Sequence, residues 1–260
     1  MRNGGDFPSC SCIQEERKMS EIKVWGHRGA SGYAPENTLE AFKLAAEQGA
    51  DGVELDVQLS RDGELVVIHD EGLERVSGVS GLVKDYTLAE LKALDVSRPI
   101  EGYGCVRIPT LAEVLEELKP TGMEINIECK TGIFFYPGLE EKMVKLVKEM
   151  KMTDRIWCSS FNHRSVLKVK RLCPEMKTGF LISDVMAGVA GYTKKHGADA
   201  LHPALYHMQD EKLVRKCHKK GLKVHVWTVN EPEHMEMVVK AEVDALITNY
   251  PDRAIEFLKK

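Results

Sequence analysis

The chain is predicted to fold as one α/β domain, a (β/α)8 barrel of TIM type carrying a small insertion after its second-strand hairpin. Three observations predict it. Short apolar, β-branched runs are each followed by a helical stretch. The parallel runs close at eight, and the length of 260 residues lies within what one such barrel fills.

The runs fall at residues 22–26, 52–59, 65–69, 123–129, 156–161, 178–182, 200–202, 224–229 and 245–248. That is one more than a barrel takes. Ser60-Arg61-Asp62-Gly63-Glu64, between the second and third, is a tight hairpin signal, and a hairpin joins only antiparallel strands. The third run must therefore turn back along an extension of the second, leaving eight parallel strands. Helical stretches follow at 38–48, 111–118, 139–150, 164–172, 185–195, 210–219, 232–240 and 252–258. Asn37 with Glu40, and Thr110 with Glu113, read as N-cap pairs. Residues 70–109 contain Gly72, Gly78, Gly81, Pro99, Gly102 and Gly104 and fit no barrel element. They are expected to form an insertion over the barrel mouth, with one short helix at residues 88–93. Residues 1–20 read as a flexible N-terminal extension, with Met19 just before the first strand, and residues 21–260 as the single barrel domain.

Composition narrows the function. A formal net charge of −4 gives no broad attraction for nucleic acid or an anionic membrane, so phosphate recognition must come from local cations or a bound metal. No apolar run approaches the roughly 20 residues needed to span a bilayer, and the polar start lacks the apolar core of a secretory signal. A cytoplasmic protein without stable membrane association is expected. The seven cysteines are odd in number and mostly scattered, which predicts reduced thiols. The Cys10-Ser-Cys12 pair has no second pair or nearby histidine to complete a metal site. Nothing in the chain specifies an oligomeric state.

In such a barrel the C-terminal strand ends form the active face, and the unusual polar residues gather there. His27 and Arg28 close the first strand, Glu54 and Asp56 lie in the second, Glu128 and Lys130 close the third parallel strand, and Trp227 ends the seventh. Glu54 and Asp56 are two apart, so both point into the barrel. With Glu128 they make three inward acids that repel one another. One reading is a salt-bridged core with Arg28 or Lys130; the other is a cation, and all-oxygen ligands favour Mg²⁺, Ca²⁺ or Mn²⁺ over Zn²⁺. The hairpin returns His69 toward His27, and two imidazoles beside carboxylates suit proton removal from a nucleophile and delivery to a leaving oxygen. Arg28, as a fork, and Lys130, as a point charge, suit a phosphate. Trp227 and Phe161 fit a pocket wall or plain core.

These residues fall in an ordered pattern: His27-Arg28-Gly29, Pro35-Glu36-Asn37-Thr38, Glu54-Leu55-Asp56-Val57, Asp62-Gly63 leading to His69-Asp70, Ile108-Pro109-Thr110-Leu111, Glu128 with Lys130, Ser159-Ser160-Phe161, Trp227-Thr228-Val229-Asn230 and Thr248-Asn249-Tyr250-Pro251-Asp252. The chain thereby resembles the glycerophosphodiester phosphodiesterase family over nearly its whole length beyond the extension. The resemblance implies hydrolysis of small glycerophosphodiesters, such as glycerophosphocholine, to glycerol 3-phosphate and an alcohol. It implies His27 and His69 as the acid–base pair, Glu54, Asp56 and Glu128 as ligands of one divalent cation, and Arg28 and Lys130 on phosphate. Two rivals stand beside it. One is lysophospholipase D or phospholipase C-like action on a lipid, for which Leu73, Val76, Val79, Leu82 and Val83 of the insertion and residues 133–136 supply candidate apolar rims. The other is a non-catalytic phosphate-binding barrel, against which both histidines argue.

Overall fold

In the computed structural model, which describes residues 22–98 and 100–260, nine strands form one sheet. They are β1 (Lys23–His27), β2 (Gly52–Leu59), β3 (Leu65–Val67), β4 (Glu124–Cys129), β5 (Ile156–Ser160), β6 (Lys177–Ile182), β7 (Ala200–Pro203), β8 (Lys223–Trp227) and β9 (Ala245–Thr248). Eight are parallel and close through the β1–β2 pairing; β3 alone is antiparallel, hanging on β2. The hairpin logic holds: Ser60 N–H donates to the Glu64 carbonyl at 3.0 Å, and Gly63 takes the left-handed conformation, φ 82°, that the turn demands. The expectations that fall on Cys10, Cys12, Met19, Pro99 and the extension over 1–20 lie outside the described residues.

Eight helices surround the barrel: α1 (Leu39–Glu47), α4 (Leu111–Leu118), α5 (Leu139–Glu149), α6 (His163–Leu172), α7 (Val189–Lys195), α8 (Leu213–His218), α9 (Pro232–Ala241) and α10 (Pro251–Leu258), with α2 (Glu74–Ser77) and α3 (Leu88–Ala93) in the insertion. Each presents an apolar stripe to the outward strand faces, as Ala41, Phe42 and Ala45 do from α1. Thr110 and Glu113 form a full capping box. Four local expectations are corrected. The insertion, expected to hold one short helix, holds α2 as well as α3, α2 being a single turn ended by left-handed Gly78. Thr38, not Asn37, caps α1, because its hydroxyl accepts from Ala41 N–H while Asn37 sits at φ 58° and turns inward. The helix expected at 185–195 starts at Val189, since left-handed Gly188 ends an exposed loop that carries Val185. The helix expected at 210–219 begins at Leu213, after a 3₁₀ turn over Leu205–Gln209.

The insertion has a small core of its own, including Leu73, Val76, Val83 and Leu91 packed on Val66 and Ile68. Leu73, Val76 and Val83 are therefore buried and form no lipid-facing rim. Among the described residues no helix is long and apolar enough to cross a membrane. The described cysteines are free, and all but Cys105 are buried.

The barrel floor is closed by rings. Trp25, Trp157, His202 and His225 are all buried, and His225 lies edge-on between the two indoles with ring centroids at 4.6 and 4.7 Å. Gly52 makes the room on β2, since a Cβ there would lie 2.8 Å from the Trp25 ring. His225 Nδ1 lies 3.0 Å from His202 Nε2, so one of the pair donates and both stay neutral. Burial lowers both pKa values, that of His202 to about 3. In the unfolded chain these groups protonate below about pH 6.5, whereas folded they do not. Their contribution is thus complete above that pH and is lost as pH falls toward about 3. The double substitution His202→Leu/His225→Leu is expected to flatten the loss of stability between about pH 7.5 and about pH 5 by on the order of 4 kcal/mol, about 2 for each histidine, read from denaturant midpoints. Parallel pH profiles for parent and variant would refute this.

Candidate active site

The strand register brings the acids together. Asp56 on β2 lies opposite Glu128 on β4, and Glu54 lies opposite both His27 on β1 and Asn126 on β4. All three acids are buried, and one oxygen from each lies within 4.8 Å of the others. Burial, then repulsion from Asp56 and Glu128, pushes Glu54 well above the usual carboxylate range. Burial and Asp56 likewise raise Glu128 to about 7. Burial would raise Asp56 too, but Arg28 and Lys130 outweigh it and hold it near about 2.

Arg28 Nε lies 3.5 Å from Asp56 Oδ2, and the Arg28 backbone N–H donates to Glu54 at 3.0 Å. Lys130 Nζ lies 3.1 Å from Glu128 and 3.8 Å from Asp56 Oδ1. The ion pairs that the sequence allows thus exist, yet they leave the cluster incomplete. Asp56 Oδ1 is buried without a hydrogen-bond partner among the described residues, and three carboxylates face two cations. An all-oxygen set with an unsatisfied buried oxygen and two acids that resist ionisation fits a hard divalent cation.

Together with Arg28, Glu54 and Glu128, His27 and His69 line the same cleft. Their partners differ. His27 Nδ1 lies 2.7 Å from Asn249 Oδ1, which leaves Nε2 toward Glu54, 4.0 Å away. Burial, then the Arg28 charge, lowers the His27 pKa to about 4. His69 follows the end of β3, and its Nδ1 lies 2.6 Å from Asp70 Oδ1. Phe161, Leu181, Trp227 and Ile247 make the opposite, apolar wall. Phe161 meets Trp227 edge-on at 5.6 Å and is 42% exposed, so it belongs to the pocket wall and not to the core.

Several supporting residues carry no sequence signal of their own. Asn37 donates to Asp56 Oδ2 at 2.8 Å and accepts from the Asp56 N–H at 3.2 Å, and its left-handed backbone makes both bonds possible. Gln58 donates to the carbonyls of Ile68, His69 and Asp70 at 3.1, 3.0 and 2.8 Å, fastening the segment that carries His69. Arg75 reaches from α2 to Asp70 at 2.5 Å and grips both oxygens of Glu36, which also accepts from Arg28 at 2.9 Å. Glu36, Asn37, Asp70 and Asn249 stand in the motifs quoted above, but only the fold shows what they touch. Gln58 and Arg75 had no such marker.

A closed parallel barrel with an acidic, cation-fitting cluster, two imidazoles and an arginine at its C-terminal mouth defines a hydrolase of phosphate esters. Comparison with known proteins narrows this class. Residues 27–253 match the Glycerophosphoryl diester phosphodiesterase family. A glycerophosphodiester phosphodiesterase of Caldanaerobacter subterraneus subsp. tengcongensis is 45% identical over 91% of this chain and 98% of its own, and one of Bacillus altitudinis is 40% identical over 90% and 97%. A phosphodiesterase of Oleispira antarctica, solved with the product sn-glycerol-3-phosphate, superposes with a TM-score of 0.82 at 32% identity, covering 94% of this chain and 99% of that one. This chain belongs to the glycerophosphoryl diester phosphodiesterase family and is an enzyme of that family.

Acids that resist ionisation are destabilising once forced to charge. A raised carboxyl pKa adds stability below its unfolded value, and that stability is lost as pH rises through about 7 for Glu128. In EDTA at about pH 8, Glu128→Gln is expected to be more stable than the parent by on the order of 2 kcal/mol. With Ca²⁺ or Mg²⁺ the order should reverse, because only the parent gains from the ion. Thermal unfolding with and without metal reads both signs; a variant less stable in EDTA would contradict the account.

Proposed function

We propose that this chain is a metal-dependent hydrolase of small glycerophosphodiesters, such as glycerophosphocholine or glycerophosphoethanolamine, releasing glycerol 3-phosphate and the free alcohol. The observation that carries it is the cluster of Glu54, Asp56 and Glu128, of which Glu54 and Glu128 line the same cleft as His27 and His69. Glu54, Asp56 and Glu128 would hold one Ca²⁺ or Mg²⁺, with Mn²⁺ as the third fit. When bound, the ion supplies positive charge against the phosphate oxygens and makes a nearby hydroxyl more acidic.

The remaining work falls to side chains. Arg28, lining the cleft and braced by Glu36, places its guanidinium where a phosphate oxygen can accept from it. Lys130 offsets the acids beside the same position. One imidazole takes the proton of the attacking oxygen and the other delivers a proton to the alcohol oxygen as its bond to phosphorus breaks. The Asn249 amide orients His27, and the Asp70 carboxylate orients His69. Trp227 and Phe161 give the organic part of the substrate an apolar wall. The presence of both histidines argues against a purely binding barrel. We place the enzyme in the cytoplasm, acting on a small-molecule substrate without nucleic acid or stable membrane association.

Release of glycerol 3-phosphate from glycerophosphocholine is expected with a divalent cation and not in EDTA. His27→Ala and Glu54→Ala should each lower it by roughly 10²-fold or more. Metal-independent release, or full activity of either variant, would defeat the assignment. Arg75, which touches Asp70 and Glu36 but does not line the cleft, acts as a positioning residue. Arg75→Ala is expected to lower kcat by about tenfold with little change in KM, and Arg75→Lys to recover only part, since Lys lacks the fork that spans both acids. An unchanged kcat would remove the insertion from the catalytic account.

A further inference from the structure

The mouth of the barrel has two unlike halves. Around β1, β2 and the insertion it is charged, with Arg28, Glu36, His69, Asp70 and Arg75 in one hydrogen-bonded chain. Around β4 to β7 it is apolar: Ile133, Phe135, Phe161, Val185, Met186 and Tyr206, six of the eight large hydrophobic side chains exposed among the described residues, stand on the loops that follow those strands. A buried pair, Gln58 and Tyr136, bridges the two halves. Neither residue lines the cleft.

Gln58 extends the row of the acids. Glu54, Asp56 and Gln58 are spaced by two along β2 and share its inward face. Gln58, one step beyond the acids, meets the chain returning through β3. That ladder ends early: its last pair is Val57 with Val67, after which the Ile68 N–H donates to the Asp56 carbonyl at 3.0 Å. His69 lies beyond the end of β3. There the carbonyls of Ile68, His69 and Asp70 all turn to Gln58 Nε2, at 3.1, 3.0 and 2.8 Å. Successive carbonyls of an extended strand point to opposite sides, so three on one nitrogen require the backbone to curl around it. That curl delivers the His69 ring to the cleft.

Only the nitrogen end of the amide can do this, because its oxygen would repel three carbonyls. Tyr136 selects the end. From the loop after β4, its hydroxyl donates to Gln58 Oε1 at 2.8 Å. Burial, then the Glu71 and Asp85 charges, raises the phenol above its ordinary range, so it keeps the proton it donates. Tyr136 also meets Phe134 edge-on at 6.1 Å, and Lys84 of the insertion lies over the Phe134 ring at 5.2 Å, which seats the loop against the insertion. Resting on the phosphodiesterase reading above, we infer that Gln58 and Tyr136 are positioning residues for this reaction, a two-residue brace that sets where the His69 imidazole stands relative to the carboxylate cluster. Gln58 and Asp56 are about 7 Å apart along one strand, so the brace measures His69 from the element that bears two of the three acids. Asp70 and Arg75 orient the ring, whereas Gln58 and Tyr136 fix the backbone that carries it.

The test is a mutant cycle on glycerophosphocholine turnover with saturating Ca²⁺ or Mg²⁺, at a temperature where thermal unfolding shows every variant folded. Tyr136→Phe, which keeps the ring and removes one hydroxyl, is expected to lower kcat by about fivefold, and Gln58→Leu by about 30-fold, each with KM within about twofold. In a His69→Ala background, read at raised enzyme concentration, the same substitutions should change kcat by less than about twofold, because they act through the imidazole that is gone. An unchanged kcat for Tyr136→Phe would overturn the inference and leave the phosphodiesterase reading intact. So would a fall of equal size with and without His69, which would make the pair a purely structural contact. If Gln58→Leu does not fold, Tyr136→Phe in the two backgrounds decides alone. Absence of turnover by the parent with any divalent ion would overturn the phosphodiesterase reading, and this inference with it.

Discussion

Mutual repulsion among Glu54, Asp56 and Glu128 is the constraint around which this molecule is organised. Three carboxylates in one buried volume cost several kcal/mol unless opposed. Only one, Asp56, is held firmly ionised, by Arg28 and Lys130. The other two are pushed toward protonation, and Asp56 Oδ1 has no hydrogen-bond partner among the described residues. A domain selected for stability alone would replace such a cluster with apolar side chains. Its persistence at the C-terminal end of a barrel, between two histidines, means that the cost supports chemistry.

The backbone around the cluster bears part of that cost. Arg28 and Asn37 both take the left-handed conformation, φ 55° and 58°, unusual for residues with a Cβ. Arg28 thereby turns its N–H to Glu54 while its guanidinium meets Asp56 and Glu36. Asn37 bonds Asp56 through both ends of its amide. The insertion serves the same site from the other side. Its own small core carries α2, α2 carries Arg75, and Arg75 ties the acid behind His69 to the acid beside Arg28. One continuous set of bonds thus runs from Arg28, the neighbour of His27, through Glu36, Arg75 and Asp70 to His69, while Asn249 holds the His27 ring from β9's side.

Much of this was legible in the sequence, for reasons that can be named. The period of two puts Glu54 and Asp56 on one face, and the hairpin at 60–64 both fixes the strand count and returns His69 to the mouth. What stayed hidden depends on contacts that no local pattern encodes. Asn37 followed three residues later by Glu40 looks like a cap, and only the demand from Asp56 pulls it out of that role. Apolar residues of the insertion read equally well as rim or core until their packing against Val66 and Ile68 decides for core. Arg75 falls in the glycine-rich insertion, where the sequence offers a helix only at 88–93, and nothing local marks it. The histidines of the floor, His202 and His225, give no period or spacing cue, and their burial depends on ring contacts between strands far apart in sequence.

That floor also explains where selectivity can reside. The layer of Trp25, Trp157, His202 and His225 seals the barrel beneath the acids, so substrate can approach only from the C-terminal mouth. The strands that hold the acids are fully paired on both sides and have no freedom to adapt to different substrates. The loops can vary without disturbing that pairing. The division between a charged half of the mouth, braced by the insertion, and an apolar half on the loops after β4 to β7 therefore separates two tasks. In the function proposed above, the first holds the phosphodiester and its proton-transfer groups at one place. The second can change residue by residue while the carboxylate cluster stays as it is.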